Sequence, residues 1–181
     1  MKTLPAFITS FILILSPAIA YSYEIPDASN KCNTGHGETT PSSNFRSSKD
    51  GLIISDKTTG LEWMRCPVGM AWDGTECQGT ASTYHFEKFK KLAAVTGNDW
   101  RLPTIDELSS IVEKCRKSPA INLNVFPNTP VKFFWSSSRT NFFSDENFPP
   151  ERQGVLFIYG SNGKDFVDEK NHARFVRNIK Y

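Results

Sequence analysis

Cys66 and Cys77 enclose a short segment, and this pair constrains the fold more than any other feature of the sequence. The segment between them contains Pro67, Gly69 and Trp72, and such residues are typical of surface loops. A strand-like run, LEWM, leads into the first cysteine. We therefore expect a surface loop that is closed by a disulfide bond.

The N-terminal segment predicts export. An apolar run covers residues 4–15, and Ala18 and Ala20 satisfy the small-residue rule for signal-peptide cleavage. We expect residues 1–20 to be a signal peptide and the mature chain to start near Tyr21. The run is shorter than the roughly 20 residues that cross a bilayer, and no second run approaches that length. The mature chain is expected to have no transmembrane segment and to be periplasmic, cell-surface-associated or secreted, where disulfides persist.

The charge balance and the length limit the class of partner and the number of domains. The formal net charge is +2 over 181 residues, and loss of Lys2 with the signal peptide would leave +1. This balance gives no reason to expect nucleic acid as a partner. About 160 mature residues fit a single domain. The composition predicts an extended polar arm over residues 21–44, followed by one domain over residues 45–181.

Apolar patterning predicts a β-hairpin followed by an amphipathic helix. Residues 52–56 and 61–65 are strand candidates, and Gly60 in their connection can adopt a positive φ. Phenylalanine, leucine and alanine recur at helical spacing over residues 86–95. Gly97 is placed to end this helix.

A capping box predicts a second helix directly after Pro103. Thr104 can cap the helix, and the side chain of Glu107 can reach back to the backbone of Thr104. The apolar face of this helix would include Val112 and Cys115. Cys115 would then point towards the core, which favours a structural disulfide over a reactive thiol.

The C-terminal part of the sequence predicts short strands. The apolar runs bounded by turns are residues 132–137, 154–159, 165–168 and 173–179. The Asn162-Gly163 pair predicts a type I′ hairpin turn. Residues 139–152 are too irregular for a strand and are expected to form a long loop.

Six short motifs occur in the same order in a family of bacterial surface and secreted proteins. They are TGLEWMRC (59–66), WDGTEC (72–77), DWRLPTIDEL (99–108), SPAINLNVFPNTP (118–130), FWSSS (134–138) and FVRNI (175–179). Together they resemble the Lcl C-terminal-domain-like family over most of the mature chain. The resemblance implies an α+β, C-type-lectin-like fold with two helices packed on small antiparallel sheets and long irregular loops. The cysteines add the expectation that this fold is stapled by disulfides. The family is associated with extracellular adhesion and interaction, and the resemblance transfers no catalytic residue.

Four cysteines allow three disulfide pairings. The favoured arrangement joins Cys66 to Cys77 and Cys32 to Cys115, and the chain-entropy model gives these bonds about 3 and about 4.5 kcal/mol. A zinc site is the alternative, but the sequence has no Cys-x-x-Cys pair and the expected compartment is oxidising. The three histidines are scattered and no two have helical ligand spacing. We expect no metal site and no cofactor.

Calcium is a separate case because sugar-binding C-type lectins use it. Their ligand tripeptides are Glu-Pro-Asn or Gln-Pro-Asp together with Trp-Asn-Asp, and none of these occurs in the sequence. The Asp145-Glu146-Asn147 triplet offers oxygen donors, but such triplets are common in solvated loops. A calcium-dependent mechanism is therefore not expected.

The candidate binding residues are aromatic or arginine side chains in expected loops. Arg139, Phe142, Phe143 and Arg152 lie in the long loop, and exposed aromatic and arginine residues are the usual anchors of an interface. Trp72 lies in the loop between the two cysteines, where an indole could stack on a sugar or hold a protein partner. The alternative for all three aromatic residues is packing onto their own domain.

Other conspicuous residues have structural interpretations. Trp63, Trp100 and Trp135 lie in apolar surroundings and are expected in the core. Arg101 is expected to form a structural salt bridge or to bind a backbone carbonyl rather than to contact a ligand. The serines at positions 136–138 lack the surroundings of a nucleophile and are expected to satisfy backbone groups at a strand end.

These observations predict a secreted or periplasmic, non-enzymatic binding or adhesion module that recognises a surface glycan or polymer. The alternative is a protein-interaction subunit of a cell-envelope or surface assembly, in which the loop aromatics are buried against a partner. A third hypothesis, an enzyme, requires a free cysteine or a metal site. The sequence sets no oligomeric state.

Overall fold

The chain forms an α+β fold in the computed structural model, which describes residues 32, 37–140 and 149–179. The helices are α1 (Phe86–Thr96) and α2 (Ile105–Ser110), and a short 3-10 helix covers Ser42–Asn44. The strands are β1 (Phe45–Ser47), β2 (Ile53–Asp56), β3 (Leu61–Met64), β4 (Met70–Trp72), β5 (Cys77–Gly79), β6 (Phe133–Arg139), β7 (Glu151–Leu156), β8 (Ser161–Phe166) and β9 (Val176–Asn178). Three antiparallel sheets have the orders β1-β2-β3-β9, β4-β5 and β6-β7-β8. The predicted α+β class, with two helices and small antiparallel sheets, is confirmed.

Several predicted features lie outside the described residues. They are the signal peptide at residues 1–20, most of the arm at residues 21–44, Phe142, Phe143 and the Asp145-Glu146-Asn147 triplet. Within the described ranges, no helix is both long enough and apolar enough to span a bilayer.

The predicted first hairpin is confirmed as β2 and β3. Asp56 faces Leu61 across the turn, and Gly60 in the turn has a φ of 69°. The Asp56 carboxylate accepts a hydrogen bond from the Thr58 amide at 2.8 Å, which fixes the turn. Strand β3 then pairs with β9, so residues near both ends of the domain share one sheet. Trp63 in β3 is fully buried.

The turn between β7 and β8 differs from the sequence prediction. It covers residues 157–160, and Gly160 has a φ of 71°. Asn162 and Gly163 lie inside β8, where Gly163 is paired with Gly154 of β7. The predicted type I′ turn at Asn162-Gly163 is therefore wrong.

Packing of the Phe133 ring explains the two paired glycines. A Cβ atom at Gly154 would lie 2.4 Å from the Phe133 Cζ atom and 2.2 Å from the Phe134 carbonyl oxygen. A Cβ atom at Gly163 would lie 3.3 Å from the Phe133 Cε2 atom. The glycines leave space for an aromatic ring over the strands, so Gly163 serves close packing rather than a turn.

Helix α1 has the predicted bounds to within one residue. Phe86, Phe89 and Ala93 form its buried face, and Gly97 follows it with a φ of 71°. These side chains pack in one core cluster with Trp135, while a second cluster contains Trp63 and the residues around α2. The predicted burial of Trp63, Trp100 and Trp135 is confirmed.

The predicted capping box of α2 is present, but the helix is shorter than predicted. The Thr104 hydroxyl accepts from the Glu107 amide, and the Glu107 carboxylate accepts from the Thr104 amide at 2.7 Å. Helix α2 ends at Ser110. The hydroxyls of Ser109 and Ser110 donate to carbonyls one turn earlier, both at 2.7 Å, and such bonds compete with helix continuation.

Val112 and Cys115 follow α2 instead of lying on it, which corrects the predicted apolar face. Val112 forms an isolated bridge with Ile121, so the chain has already turned into an extended segment. Cys115 is nevertheless buried, at 2% exposure, as the sequence predicts.

The disulfide bonds join Cys32 to Cys115 and Cys66 to Cys77, which is the arrangement that the sequence favours. The segment inside the second bond is more regular than predicted, because β4 and β5 form a hairpin with Trp72 opposite Cys77. The Asp73 carboxylate accepts from two amides of the connecting turn, at 2.8 and 2.9 Å. The predicted loop is thus a stapled hairpin.

Removing the cap of α2 tests how far local signals stabilise this short helix. We expect Thr104→Ala to lower the free energy of unfolding by about 1 kcal/mol, because the helix loses one capping acceptor. Chemical denaturation measures the change. The exposed, non-helical Thr83→Ala is the control and should change stability little; an equal loss in both variants would contradict the capping argument.

Candidate functional site

An open cleft lies between α1, the segment 100–102 and the strands β6 and β7. Its volume is about 410 Å³. The residues that line it are Phe86, Lys90, Ala93, Ala94, Trp100, Arg101, Leu102, Ser137, Arg139 and Arg152. Four of these ten described residues are cationic and none of the ten is acidic. We call this feature the cationic cleft, and its charge suits a ligand with negative groups.

Two predicted binding residues meet in the cationic cleft. Arg139 ends β6 and is the direct cross-strand partner of Arg152 in β7. Both therefore lie in a sheet, which corrects the prediction that residues 139–152 are irregular throughout. The register shifts between Trp135 and Arg139, and Ser137 and Arg139 at this bulge line the cleft.

The three serines in the bulge have the predicted structural role. The Ser136 hydroxyl donates to a carbonyl of β7 at 2.8 Å, and the Ser137 hydroxyl donates to the Pro103 carbonyl at 3.1 Å. The Ser138 hydroxyl accepts from the Ile105 amide at 2.9 Å. These bonds join the bulge to the start of α2 and fix one wall of the cleft.

The Arg152 guanidinium packs on an aromatic ring, and one of its donors has no acceptor among the described residues. Its guanidinium carbon lies 4.7 Å from the centroid of the Phe86 ring, which is cation–π distance. Its Nε atom is buried and has no hydrogen-bond partner within the described part of the chain. Burial and then the charge of Arg139 lower the pKa of Arg152, while Glu87 acts in the opposite direction. An acidic group bound here would relieve the repulsion and accept hydrogen bonds from the guanidinium groups.

The other two cations of the cleft have carboxylate neighbours. Arg101 donates to both oxygens of Glu107 at 2.7 Å, so the predicted salt bridge is confirmed. This hydrogen bonding raises the pKa of Arg101 and lowers the pKa of Glu107. Lys90 is 3.7 Å from Glu87, and both side chains are largely exposed, so the pair is weak. Among the described residues, Arg139 and Arg152 are the two cleft cations that have no carboxylate within ion-pair distance.

The aromatic rings of the cleft are already covered by guanidinium groups. The Arg177 guanidinium lies 4.5 Å from the Trp100 ring centroid, and Arg152 covers Phe86. Trp100 and Phe86 are also buried, at 8% and 3% exposure. A ligand in the cleft would meet charges and hydrogen-bond donors rather than an open aromatic face.

Comparison with known proteins identifies the family. The family model described as the Lcl C-terminal domain matches residues 52–180. The chain belongs to the Lcl C-terminal domain family. No curated protein matches the sequence. All residues that line the cationic cleft fall inside the matched range, so the cleft is part of the Lcl C-terminal domain itself.

Trp72 lies elsewhere on the Lcl C-terminal domain and does not line the cationic cleft. The Arg65 guanidinium covers its ring at 4.2 Å from the centroid. Its indole edge contacts Gly51 so closely that a Cβ atom there would lie 2.3 Å from the Trp72 Nε1 atom. Trp72 is half-buried in the stapled hairpin, and its contacts match the packing alternative.

One cluster of potential metal ligands occurs in the described part of the Lcl C-terminal domain and its N-terminal extension. Atoms of Cys32, Glu113 and Cys115 lie within 4.8 Å of one another. The two sulfur atoms are joined in a disulfide, and a metal would need thiolates. The Glu113 Oε1 atom accepts a hydrogen bond from the Thr39 amide, and the Oε2 atom accepts one from the Thr40 amide. The donor atoms of this cluster are therefore already engaged in structural bonds.

Sequence reasoning missed the wall of the cleft that α1 supplies. Phe86, Lys90 and Ala93 are four and three positions apart, and this spacing places them along one edge of a helix. That spacing is a usable signal, but the sequence does not show which strands face this edge. Phe142 and Phe143 lie outside the described residues, and their role in binding stays a prediction.

Proposed function

We propose that this protein is an exported, non-enzymatic binding or adhesion module of C-type-lectin-like fold, whose cationic cleft holds acidic groups of a surface glycan or another surface polymer. The observation that carries the proposal is the pairing of Arg139 with Arg152 across two strands. Two like charges side by side destabilise a sheet, and a bound anion removes that cost. Export is supported by two long-lived disulfide bonds, which require an oxidising compartment.

Recognition in this proposal depends on charge rather than on ring stacking. Arg177 and Arg152 occupy the accessible sides of the cleft aromatics, so a sugar ring has no free aromatic platform there. An arginine guanidinium offers parallel donors that match a carboxylate or a sulfate. The cleft has room for an acidic group with part of its sugar ring, and the rest of a polymer would extend along the exposed Lys90 side of α1.

The proposal includes no calcium and no catalytic step. The tripeptides that hold calcium in sugar-binding C-type lectins do not occur in the sequence. All four cysteines are paired, and the hydroxyls of Ser136 and Ser137 are engaged with backbone carbonyls. The chemistry offered at the cleft is ion pairing and hydrogen bonding.

Binding to defined polymers tests the proposal. We expect the full-length mature chain to bind polygalacturonate or dextran sulfate and not neutral dextran, with affinity that falls as salt increases. The double variant Arg139→Gln with Arg152→Gln should lose about tenfold or more in affinity, because hydrogen bonds between charged groups are the strong ones. Isothermal titration calorimetry at two salt concentrations measures both effects.

The matched control is Arg46→Gln, which removes one exposed arginine from β1 outside the cleft. It should bind the acidic polymers like the unchanged protein, and melting curves should show that all variants are folded. Equal binding by the double variant and the control would contradict the proposed site. Equal binding to dextran and to the acidic polymers would contradict charge recognition.

The alternative partner is a protein of the cell envelope with an acidic segment. Aspartate and glutamate side chains would use the same arginines, so the cleft alone accommodates either ligand. Co-purification from the native envelope separates the two. A stable protein partner that is lost from the double variant Arg139→Gln with Arg152→Gln, without binding to the acidic polymers, would favour the alternative.

A further inference from the structure

The N-terminal extension, whose described part before β1 is residue 32 and residues 37–44, is held by a buried carboxylate. Glu113 has 0% exposure. Its Oε1 atom accepts from the Thr39 amide at 2.8 Å and the Thr39 hydroxyl at 2.9 Å. Its Oε2 atom accepts from the Thr40 amide at 2.6 Å and the Thr40 hydroxyl at 2.8 Å. One side chain therefore binds the backbone and the side chains of two successive residues.

Two further side chains hold the same stretch of chain. Asn122 donates to the Thr40 carbonyl at 2.9 Å and to the Ser42 hydroxyl at 3.1 Å. Arg116, itself 4% exposed, forms an ion pair with Glu38. We define the arm clasp as Glu113, Arg116 and Asn122 together. All of its contacts are non-covalent.

Glu113 stays charged at neutral pH. Burial alone would raise the pKa of Glu113, but hydrogen bonds from Thr39 and Thr40 outweigh burial and hold the pKa below its usual value. The Cys115 amide adds a donor at 3.2 Å. Among the described residues, the charged groups next to this site are Glu38 on the arm and Lys114 and Arg116 beside Glu113. The hydrogen bonds from Thr39 and Thr40 therefore go to a charged acceptor at neutral pH.

The arm clasp ends beside a disulfide that closes a long loop. Cys32 and Cys115 are separated by 83 positions, whereas Cys66 and Cys77 are separated by 11. In an unordered chain, closing the long loop costs more entropy than closing a shorter one. Cys32 on an undocked arm would therefore meet Cys66 or Cys77 at a rate comparable to or higher than that for Cys115. Something must bring Cys32 to Cys115 before oxidation for the observed pairing to be favoured.

We propose that the arm clasp docks the N-terminal extension while both cysteines are still reduced, so that Glu113 is a positioning residue that selects Cys115 as the partner of Cys32. Glu113 is two positions from Cys115, and Thr39 is seven positions from Cys32. The docked arm therefore holds the two thiols within a short reach. The clasp thereby raises the effective concentration of the Cys32 thiol at Cys115.

The oxidation step needs an external oxidant of the small-molecule disulfide class. The Cys32 thiolate, on the more exposed side of the bond, attacks the oxidant and releases one small thiolate. The Cys115 thiolate then attacks the mixed disulfide at the Cys32 sulfur and releases the second small thiolate. Two protein thiols are oxidised to one disulfide, and the oxidant takes up the two electrons as two thiols.

The equilibrium between each protein disulfide and glutathione tests the proposal. The full-length mature chain is incubated in glutathione buffers of graded ratio, and free thiols are alkylated and assigned by mass spectrometry. In Glu113→Gln the Cys32–Cys115 bond should become more easily reduced, by about tenfold or more in its equilibrium constant, because several hydrogen bonds to a charged acceptor are lost. The Cys66–Cys77 bond in the same molecule should not change.

Glu87→Gln is the matched control, since it makes the same chemical change on the exposed face of α1 and should move neither bond. Thr40→Val, which removes only one hydroxyl donor, is a milder variant in case Glu113→Gln does not fold, and it should shift the Cys32–Cys115 bond in the same direction. A selective shift of that bond supports the proposal. An unchanged Cys32–Cys115 equilibrium, or an equal shift of both bonds, overturns it.

Discussion

Cys115→Ser should lower the free energy of unfolding by about 4.5 kcal/mol, against about 3 kcal/mol for Cys66→Ser. The difference follows from loop length, since the first bond closes a separation of 83 positions and the second a separation of 11. Cys115 is also buried, at 2% exposure, where the arm meets the core. Thermal and chemical unfolding of the two variants under identical conditions measures the order.

Cys32→Ser is the control for burial, because it removes the same bond from the more exposed end. It should cost slightly less than Cys115→Ser, which also places a hydroxyl in a buried position. A smaller loss for Cys115→Ser than for Cys66→Ser would contradict the long-loop account. Equal losses of stability in Cys32→Ser, Cys66→Ser and Cys115→Ser would also contradict the long-loop account.

Gly154→Ala should destabilise the domain by about 3 kcal/mol or more, because the new methyl group collides with backbone as well as with a ring. Its Cβ atom would lie 2.2 Å from the Phe134 carbonyl oxygen in the neighbouring strand. The Phe133 ring can move, but the paired strand cannot do so without breaking its hydrogen bonds. The midpoint of chemical denaturation measures the loss.

Gly163→Ala is the matched control on the opposite strand. Its Cβ atom would approach only the Phe133 ring, at 3.3 Å, so the ring can shift slightly and the cost should stay well below that of Gly154→Ala. Neither glycine has a positive φ, so backbone strain does not enter the comparison. Similar losses in the two variants would show that the pairing of β6 with β7 does not limit this position.

Local signals in the sequence predicted the elements that depend on neighbouring residues. The hairpin of β2 and β3, the end of α1 at Gly97 and the capping box at Thr104 are all confirmed, because each is determined by a few adjacent residues. The end of α2 was wrong, since competing hydrogen bonds from Ser109 and Ser110 are weak signals in a sequence.

Tertiary packing decided the features that the sequence did not predict. Asn162-Gly163 is a strong local turn signal, yet the pair lies inside β8, where Gly163 leaves space for the Phe133 ring. The cationic cleft combines Lys90 with Arg139 and Arg152, which lie far apart in the sequence. Their meeting depends on the bulge in β6 and on the β7 register, and neither has a local sequence signal.

The most direct test of the proposed binding site is an NMR titration of the isotope-labelled chain with a short oligogalacturonate. The account predicts chemical-shift changes at Lys90, Ser137, Arg139 and Arg152, with the largest side-chain changes at the Arg139 and Arg152 guanidinium groups. Changes centred on the stapled hairpin around Trp72, or no saturable change at the cleft residues, would contradict it.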